Sequence, residues 1–356
     1  MALPFAARRR SRTLIVLAIV AIAVIYLFRG ASQQPFDPNY GLLNTLDADS
    51  RFAIVTFLGS DTLQKDEDWY FVGCRLLTYQ LLHAEETRIR DRDAGRIDWV
   101  VAVTPAVEAW KREQLVRDGA KVVEVEDVPL HWWIRTAVAR WKDQFTKLRI
   151  LLWTEYARVL FVDADTLLFA PLDDIFDAEG SVYPSRTDPA FRKGDEAHLP
   201  AEYVFLAAQD HQFTGKRDHA VPPVETDTTG SFSAGFWLAA PSVELYHYLI
   251  SVMGLYGRFD PGTMEQSLLN YAFRRCNSSQ EDREASATCP AGARAGPMPW
   301  GELDWRWSST WPSRKDRLEG VASLHEKFWK KGPDGLKWRW RTWRRRMEES
   351  LGPTYT

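Results

Sequence analysis

From Arg51 onward the chain alternates short apolar runs with segments whose apolar positions recur every three or four residues. Phe52 to Leu58 is almost wholly apolar and of strand length, which predicts a strand buried on both faces. Trp69 to His83 carries an apolar stripe at helical spacing, and Asp98 to Val103 reads as a second strand. Pro105 opens a helix to Arg117, Asp118-Gly119 stops it, and Lys121 to Val125 is a third short strand. A helix from about Phe145 to Tyr156 leads into the strand Arg158 to Val162, which ends on Asp163. Such alternation predicts an α/β domain around a doubly wound, mostly parallel sheet. Ligands in such sheets sit beyond the carboxyl ends of the strands, where Asp163 falls. Gly235 to Ala239 resumes a strand, a helix runs from Pro241-Ser242 to about Leu255, and another from Thr263 to about Phe273. Ser185 to Thr229 reads as an irregular insertion over the site, and Asn277 to Pro299 as loop.

At the end of the chain Leu336, Trp340, Trp343, Met347 and Leu351 fall on one helical face, with Arg344-Arg345-Arg346 between them. This predicts a basic amphipathic helix over 333–356 that packs on the domain, its arginine face being also suited to anionic headgroups. At the other end Arg8, Arg9, Arg10 and Arg12 precede an apolar run from Leu14 to Phe28. That pattern predicts a cytosolic tail (1–13), a membrane anchor (14–28) and a stem (29–50) before a domain over 51–332. The arginines on the amino-terminal side predict a single-pass type II protein of a Golgi or other secretory-pathway membrane, its domain lumenal.

With 356 residues, 45% of them apolar and 26% charged, the chain can bury a full core. A net charge of -3 gives no sign of a nucleic-acid partner. The three cysteines, Cys74, Cys276 and Cys289, are too few for a metal cluster. Cys276 and Cys289 flank the sequon Asn277-Ser278-Ser279, so a disulfide-closed, glycosylated loop is consistent with the pattern.

Asp163 and Asp165, one residue apart where an apolar strand turns into a loop, can converge on one hard divalent cation, Mg²⁺ or Mn²⁺, which would stabilise a diphosphate leaving group. Acid pairs also sit at turns and helix caps, so the strand before them carries the signal. Further segments occur in a fixed order: Ala53-Ile-Val-Thr-Phe, Phe145-Thr-Lys-Leu, Phe161-Val-Asp-Ala-Asp-Thr-Leu, Leu172-Asp-Asp-Ile-Phe, Phe232-Ser-Ala-Gly-Phe, Glu265-Gln-Ser-Leu-Leu-Asn and Leu324-His-Glu-Lys-Phe-Trp. From Phe52 to Trp329 this order resembles glycosyltransferase family eight, the glycogenin-like nucleotide-sugar transferases, and especially fungal membrane-bound relatives resembling α-N-acetylglucosaminyltransferases.

The resemblance implies a GT-A domain that binds a UDP-sugar and Mn²⁺ and transfers the sugar, in these relatives N-acetylglucosamine, with retention to a glycan or glycoconjugate. It implies Asp163, Asp165 and His325 as metal ligands, a mixed oxygen and nitrogen set that favours Mn²⁺ over Mg²⁺. Lys147 matches a basic residue that approaches the donor; Thr56 and Phe57 match the uracil-binding edge, and Tyr70 corresponds after an insertion. Lys327 would reach a diphosphate oxygen, although the family spaces that lysine further from the histidine. Ala164, Ala234 and Gly235 complete the donor surface, with Ser233 where the family has asparagine. Glu265, where many relatives have aspartate, and Gln266 would face the transferred sugar as catalytic residues. Thr263-Met-Glu-Gln266 also has the form of a capping box.

Sixteen tryptophans are present, and Trp300, Trp305, Trp307 and Trp311 are read either as core or as a stacking platform for acceptor sugars. Two other readings remain open on the residues alone. Asp163-Ala-Asp165-Thr166 fits the nucleophile motif of haloacid-dehalogenase-type phosphatases, with Asp163 phosphorylated, although that motif normally lies on a first strand. A non-catalytic lumenal binding protein is the other.

Overall fold

The computed structural model describes residues 35–59, 68–135, 139–211, 219–223, 230–275 and 296–354. In chain order the elements are β1 (Phe52–Leu58), α1 (Trp69–Leu82), β2 (Ile97–Val103), α2 (Ala109–Arg117), β3 (Lys121–Glu124), a 3₁₀ stretch (Ala139–Leu152), β4 (Arg158–Val162) and β5 (Thr166–Leu168). There follow α3 (Glu179–Val182), β6 (Ser185–Arg186), β7 (Glu202–Tyr203), β8 (Phe205–Gln209), β9 (Phe232–Ala239), α4 (Val243–Gly254) and α5 (Glu265–Ala272). The last are β10 (Gly301–Glu302), β11 (Ser308–Thr310), α6 (Arg314–Leu318), β12 (Ser323–His325) and α7 (Asp334–Leu351).

A seven-stranded sheet in the order β10-β8-β9-β4-β1-β2-β3 forms the centre. β1 pairs in parallel with β2 and β4, while β9 runs antiparallel to both its neighbours, β4 and β8. The sheet is therefore mostly parallel, as expected, with a reversed strand at the turn that carries the acids. β8 corrects the expectation of an irregular insertion over Ser185–Thr229: Phe205 to Ala208 are buried in this sheet, and β6 and β7 pair beside it.

The period-two alternation of each strand divides the interior into two cores. Ala53, Val55 and Phe57 join Val159, Phe161 and Trp237 beneath the 3₁₀ stretch, α4 and α5. Phe52, Ile54 and Leu58 join Ile97, Val101, Leu160 and Leu238 beneath α1 and α2. Both faces of β1 are covered, which is why its sequence is apolar throughout.

The helix expected from Phe145 to Tyr156 is instead wound as 3₁₀ and ends at Leu152. With three residues per turn, side chains three apart eclipse and the stretch sorts into rows. Phe145, Leu148 and Leu151 face the core. Thr146, on the row of Asp143, accepts from Val128 N–H at 3.2 Å. Trp141, Gln144 and Lys147 form the remaining row and line one cavity.

A third cluster joins α1 to the carboxyl-terminal helix. Leu336, Trp340, Trp343 and Met347 of α7 bury against Val72, Leu76 and Tyr79, as their spacing predicts. Arg75, fully buried on α1, binds Asp118 at 2.6 Å and donates to the carbonyls of Leu351 (3.3 Å) and Gly352 (3.2 Å), where a cation suits a helix carboxyl end. Arg344 pairs with Glu348 and Arg346 with Glu86, so part of the arginine face is engaged by protein carboxylates.

The expectation of a single-pass type II Golgi protein is corrected: no helix among the described residues is long and apolar enough to cross a membrane. The run Leu14–Phe28 lies outside the described residues, as do Cys276, Asn277 and Cys289. Cys74 is a free thiol buried under the sheet.

Candidate active site

At the end of β4 the chain turns sharply. Asp163 N–H donates to Gly235 O at 2.8 Å, and Thr166 N–H closes the turn on Asp163 O at 3.1 Å. β5 then pairs antiparallel with β12, placing His325 opposite Thr166, and Glu326 N–H donates to Asp165 O at 3.1 Å. Sheet register therefore brings the imidazole onto the acid pair. His325 Nε2 lies 2.9 Å from Asp165 Oδ1 and 3.7 Å from Asp163 Oδ2. One ligand atom from each of Asp163, Asp165 and His325 lies within 4.8 Å of the others, so the group can hold a divalent cation.

Two glycines permit this convergence. A Cβ on Gly235 would lie 2.5 Å from His325 Cε1 and 2.8 Å from Asp163 Oδ2; one on Gly73 of α1 would lie 2.2 Å from Ala164 O. Gly73 lets the helix rest on the acid turn, and Gly235 leaves room for two of the ligands. Gly235→Ala is expected to weaken divalent-metal affinity roughly 10–100-fold, the loss typical when groups orienting metal ligands are disturbed. Mn²⁺ titration by calorimetry measures this, and an unchanged affinity would show that the close approach does not matter.

Lys147, at the deep end of its row, is buried between two acids: its Nζ is 2.8 Å from Asp163 Oδ1 and 2.9 Å from Glu265 Oε1. Burial opposes its charge, but Asp163 and Glu265 outweigh burial and hold the ammonium well above the usual lysine range. Burial pushes the Glu265 carboxyl up, with Lys147 working against that rise. Asp165 is the reverse case: burial raises it, and Lys327 and His325 more than cancel the rise, holding it far below the usual carboxylate range. Lys327 Nζ is 3.2 Å from Asp165 Oδ2. His325 is shifted upward, because Asp165 outweighs the effect of burial.

The capping box anticipated at Thr263–Gln266 does not form: α5 begins at Glu265, and Gln266 bonds elsewhere. Its Oε1 accepts from Ala234 N–H at 3.1 Å and its Nε2 donates to Asp210 Oδ2 at 2.9 Å. Thr310 Oγ1 donates to the other Asp210 oxygen at 3.1 Å. Both faces of the Gln266 amide are thereby fixed. Met264, just before Glu265, has φ +53°, a strained conformation for a side-chain-bearing residue, in the turn that presents Glu265.

One cavity of about 250 Å³ collects most of the expected residues: Phe57, Tyr70, Lys147, Asp163, Ala164, Asp165, Ala234, Gly235, Glu265, Gln266, His325 and Lys327 all line it. Thr56 and Ser233 are not on its wall. Thr56 is buried on the α1 side of β1, and Ser233 is 2% exposed with its hydroxyl accepting from Gly235 N–H at 3.2 Å. Trp300, Trp305, Trp307 and Trp311 do not line the cavity either, and Trp300 belongs to the core. Gly59, Trp141 and Gln144 line it without having been singled out, and so do Thr263 and Met264, which the sequence marks only as part of a capping pattern. The three-residue spacing of Trp141, Gln144 and Lys147 was the signal available for two of them. Asp210 was hidden in the segment read as irregular.

No family model matches the chain. An uncharacterized protein of Schizosaccharomyces pombe is 30% identical over 307 residues, spanning 77% of this chain and 72% of the relative. Galactinol synthase 2 of Ajuga reptans is 30% identical over 178 residues, 49% of this chain and 58% of that enzyme. Among solved structures, the galactosyltransferase LgtC with donor and acceptor sugar analogs is 14% identical, covering 85% of this chain and 97% of that one at a TM-score of 0.41. Mouse xyloside xylosyltransferase 1 is 11% identical, covering 80% and 100%, at 0.44. Acids beyond the carboxyl end of β4, with a histidine returned to them, form a candidate cation site on a mostly parallel α/β sheet, and the galactinol synthase relatives support a nucleotide-sugar-dependent glycosyltransferase. The chain's likeness to the galactinol synthases supports a glycosyltransferase of the family-eight type. That sets aside the phosphatase and non-catalytic readings; Asp163 also follows the fourth strand of the chain, paired with Lys147 at 2.8 Å.

Proposed function

We propose that the chain is a retaining, Mn²⁺-dependent transferase that moves a hexosyl or N-acetylhexosaminyl group, N-acetylglucosamine by the sequence resemblance, from a UDP-sugar to a hydroxyl of a glycan or glycoconjugate. The observation that carries this reading is the convergence of Lys147, Asp163, Asp165, Glu265, Gln266, His325 and Lys327 on one cavity. Asp163, Asp165 and His325 would hold the cation, which supplies charge neutralisation to the departing diphosphate. Their two carboxylates and one imidazole fit Mn²⁺ better than Mg²⁺.

In this reading Phe57 and Tyr70 form the nucleotide side, and Lys327 turns from Asp165 towards a diphosphate oxygen. The bond from the anomeric carbon to the diphosphate oxygen breaks with its electron pair leaving on UDP. The acceptor oxygen bonds to that carbon, and its proton passes to the departing diphosphate oxygen. Lys147 keeps the carboxylates of Asp163 and Glu265 apart and aimed. Glu265, buried and acidic, faces the positive charge that develops at the anomeric carbon, and Gln266 is held to receive the sugar by Ala234 and Asp210.

The test follows UDP release from a panel of UDP-hexoses and UDP-N-acetylhexosamines, with and without Mn²⁺, in the presence of mono- and disaccharide acceptors. UDP release from one donor, dependent on Mn²⁺ and increased by a saccharide, is the expected result. Metal-dependent hydrolysis of phosphomonoesters without UDP-sugar turnover would overturn the proposal.

A further inference from the structure

The 3₁₀ winding of Ala139–Leu152 sets Trp141, Gln144 and Lys147 in one eclipsed row along the wall of the cavity. A 3₁₀ turn rises about 6 Å, so the row steps outward from the reaction centre by about that much per residue named. Lys147, at its inner end, touches Asp163 and Glu265. Gln144 and Trp141, both half-buried, stand one and two turns further out. An α-helical winding would rotate each successive member away from the cavity; this winding keeps all three on it. Runs of 3₁₀ structure this long are uncommon.

The other residues that line the cavity differ in chemistry. Phe57, Tyr70 and Lys327 come from β1, α1 and the segment after β12, and Tyr70 is braced edge-on by Trp329 at 5.5 Å. Thr263 and the strained Met264, immediately before Glu265 and Gln266, line the same cavity. An indole and a carboxamide on one row suit a pyranose: the indole can cover its C–H face, and the amide can donate to and accept from its hydroxyls.

We propose that Trp141 and Gln144 form the acceptor subsite, Trp141 being the stacking platform and specificity determinant for a saccharide acceptor; this rests on the transferase reading above. The sugar stacked there presents its hydroxyl inward along the row, towards the anomeric carbon that Glu265 faces. The stacking role left open for Trp300, Trp305, Trp307 and Trp311 falls in this proposal to Trp141 instead.

The experiment is a steady-state analysis of UDP release, with glucose, galactose, lactose and maltose as acceptor probes, for wild type, Trp141→Ala, Trp141→Phe and Gln144→Ala. Trp141→Ala is expected to raise the acceptor KM at least tenfold while the UDP-sugar KM changes less than twofold, and Trp141→Phe to recover most of the loss. Gln144→Ala should raise the acceptor KM by a smaller factor and alter the ranking of the probes. A rise confined to the donor KM, or an unchanged acceptor KM in Trp141→Ala, overturns the proposal. So does a wild-type enzyme that releases UDP without dependence on any of these saccharides. If wild type turns over no UDP-sugar, the transferase reading itself has failed, which is a separate and recognisable outcome. Thermal unfolding of each variant shows whether a loss is merely structural.

Discussion

Asp165→Ala is expected to lower metal-dependent UDP-sugar turnover by roughly 10³-fold or more while leaving the fold cooperative. The size follows from what converges on this carboxylate. His325 sits at 2.9 Å and Lys327 at 3.2 Å, and these two groups outweigh burial and keep it ionised far below the usual range. Its removal takes one of three candidate ligands and leaves Asp163 as the remaining carboxylate of the group. Losing one preorganised electrostatic contact at a reaction centre typically costs about 10²–10³ in kcat, and loss of the cation adds to that. The backbone has no reason to follow, because Asp165 O, not its side chain, accepts from Glu326 N–H and ties the turn to β12. Lys327 is 34% exposed and can turn to solvent, which limits the cost of orphaning it. UDP release and calorimetric Mn²⁺ titration on the same sample check both parts. Turnover at the wild-type rate would refute the assignment of the metal site.

The acid pair was legible in the sequence because two local signals coincide there: an apolar strand, and a turn that leaves two carboxylates on one side. His325 was not local. It reaches the acids through pairing of β5 with β12 across 160 positions, and only the order of motifs pointed to it. The alternating strands and helices up to Asp163 were likewise readable, because a strand covered on both faces is apolar throughout, as β1 is.

What escaped did so for stated reasons. β8 lies within a polar segment whose composition suggests loop, yet five residues, Phe205–Gln209, suffice for a strand when β9 and β10 flank it. The winding of Ala139–Leu152 could not be read from apolar spacing, since positions three apart fit either helix type; the cavity distinguishes them, because Trp141, Gln144 and Lys147 reach it together. The capping pattern at Thr263 failed because Gln266 finds better-placed partners in Ala234 and Asp210 than in its own helix start. The serine in place of the family's asparagine turns inward: Ser233 serves Gly235, and Gln266 binds the neighbouring backbone amide instead.

The second large effect concerns Lys147 and Glu265, and its signature is expected to be non-additivity. Lys147→Met and Glu265→Gln should each lower kcat by roughly 10²–10³, and the double variant by little more than Lys147→Met alone. The reason is electrostatic. Burial already pushes the Glu265 carboxyl up, and Lys147 is the main charge that opposes it. Replacing that ammonium with a thioether removes the opposition and leaves Asp163 nearby, so Glu265 takes up a proton and becomes, in charge, what Glu265→Gln makes it. Once Lys147 is gone there is little left for the second substitution to remove. The buried, protonated acid left without its partner also destabilises Lys147→Met, by an amount of the order of 1–3 kcal/mol, whereas Glu265→Gln keeps the shape and a hydrogen-bond acceptor for the lysine. Kinetics on the four proteins, each with its unfolding midpoint, closes the cycle. Fully additive losses in kcat would mean that lysine and glutamate act on different steps, and that the ion pair at 2.9 Å is scaffolding rather than part of the charge that meets the developing cation.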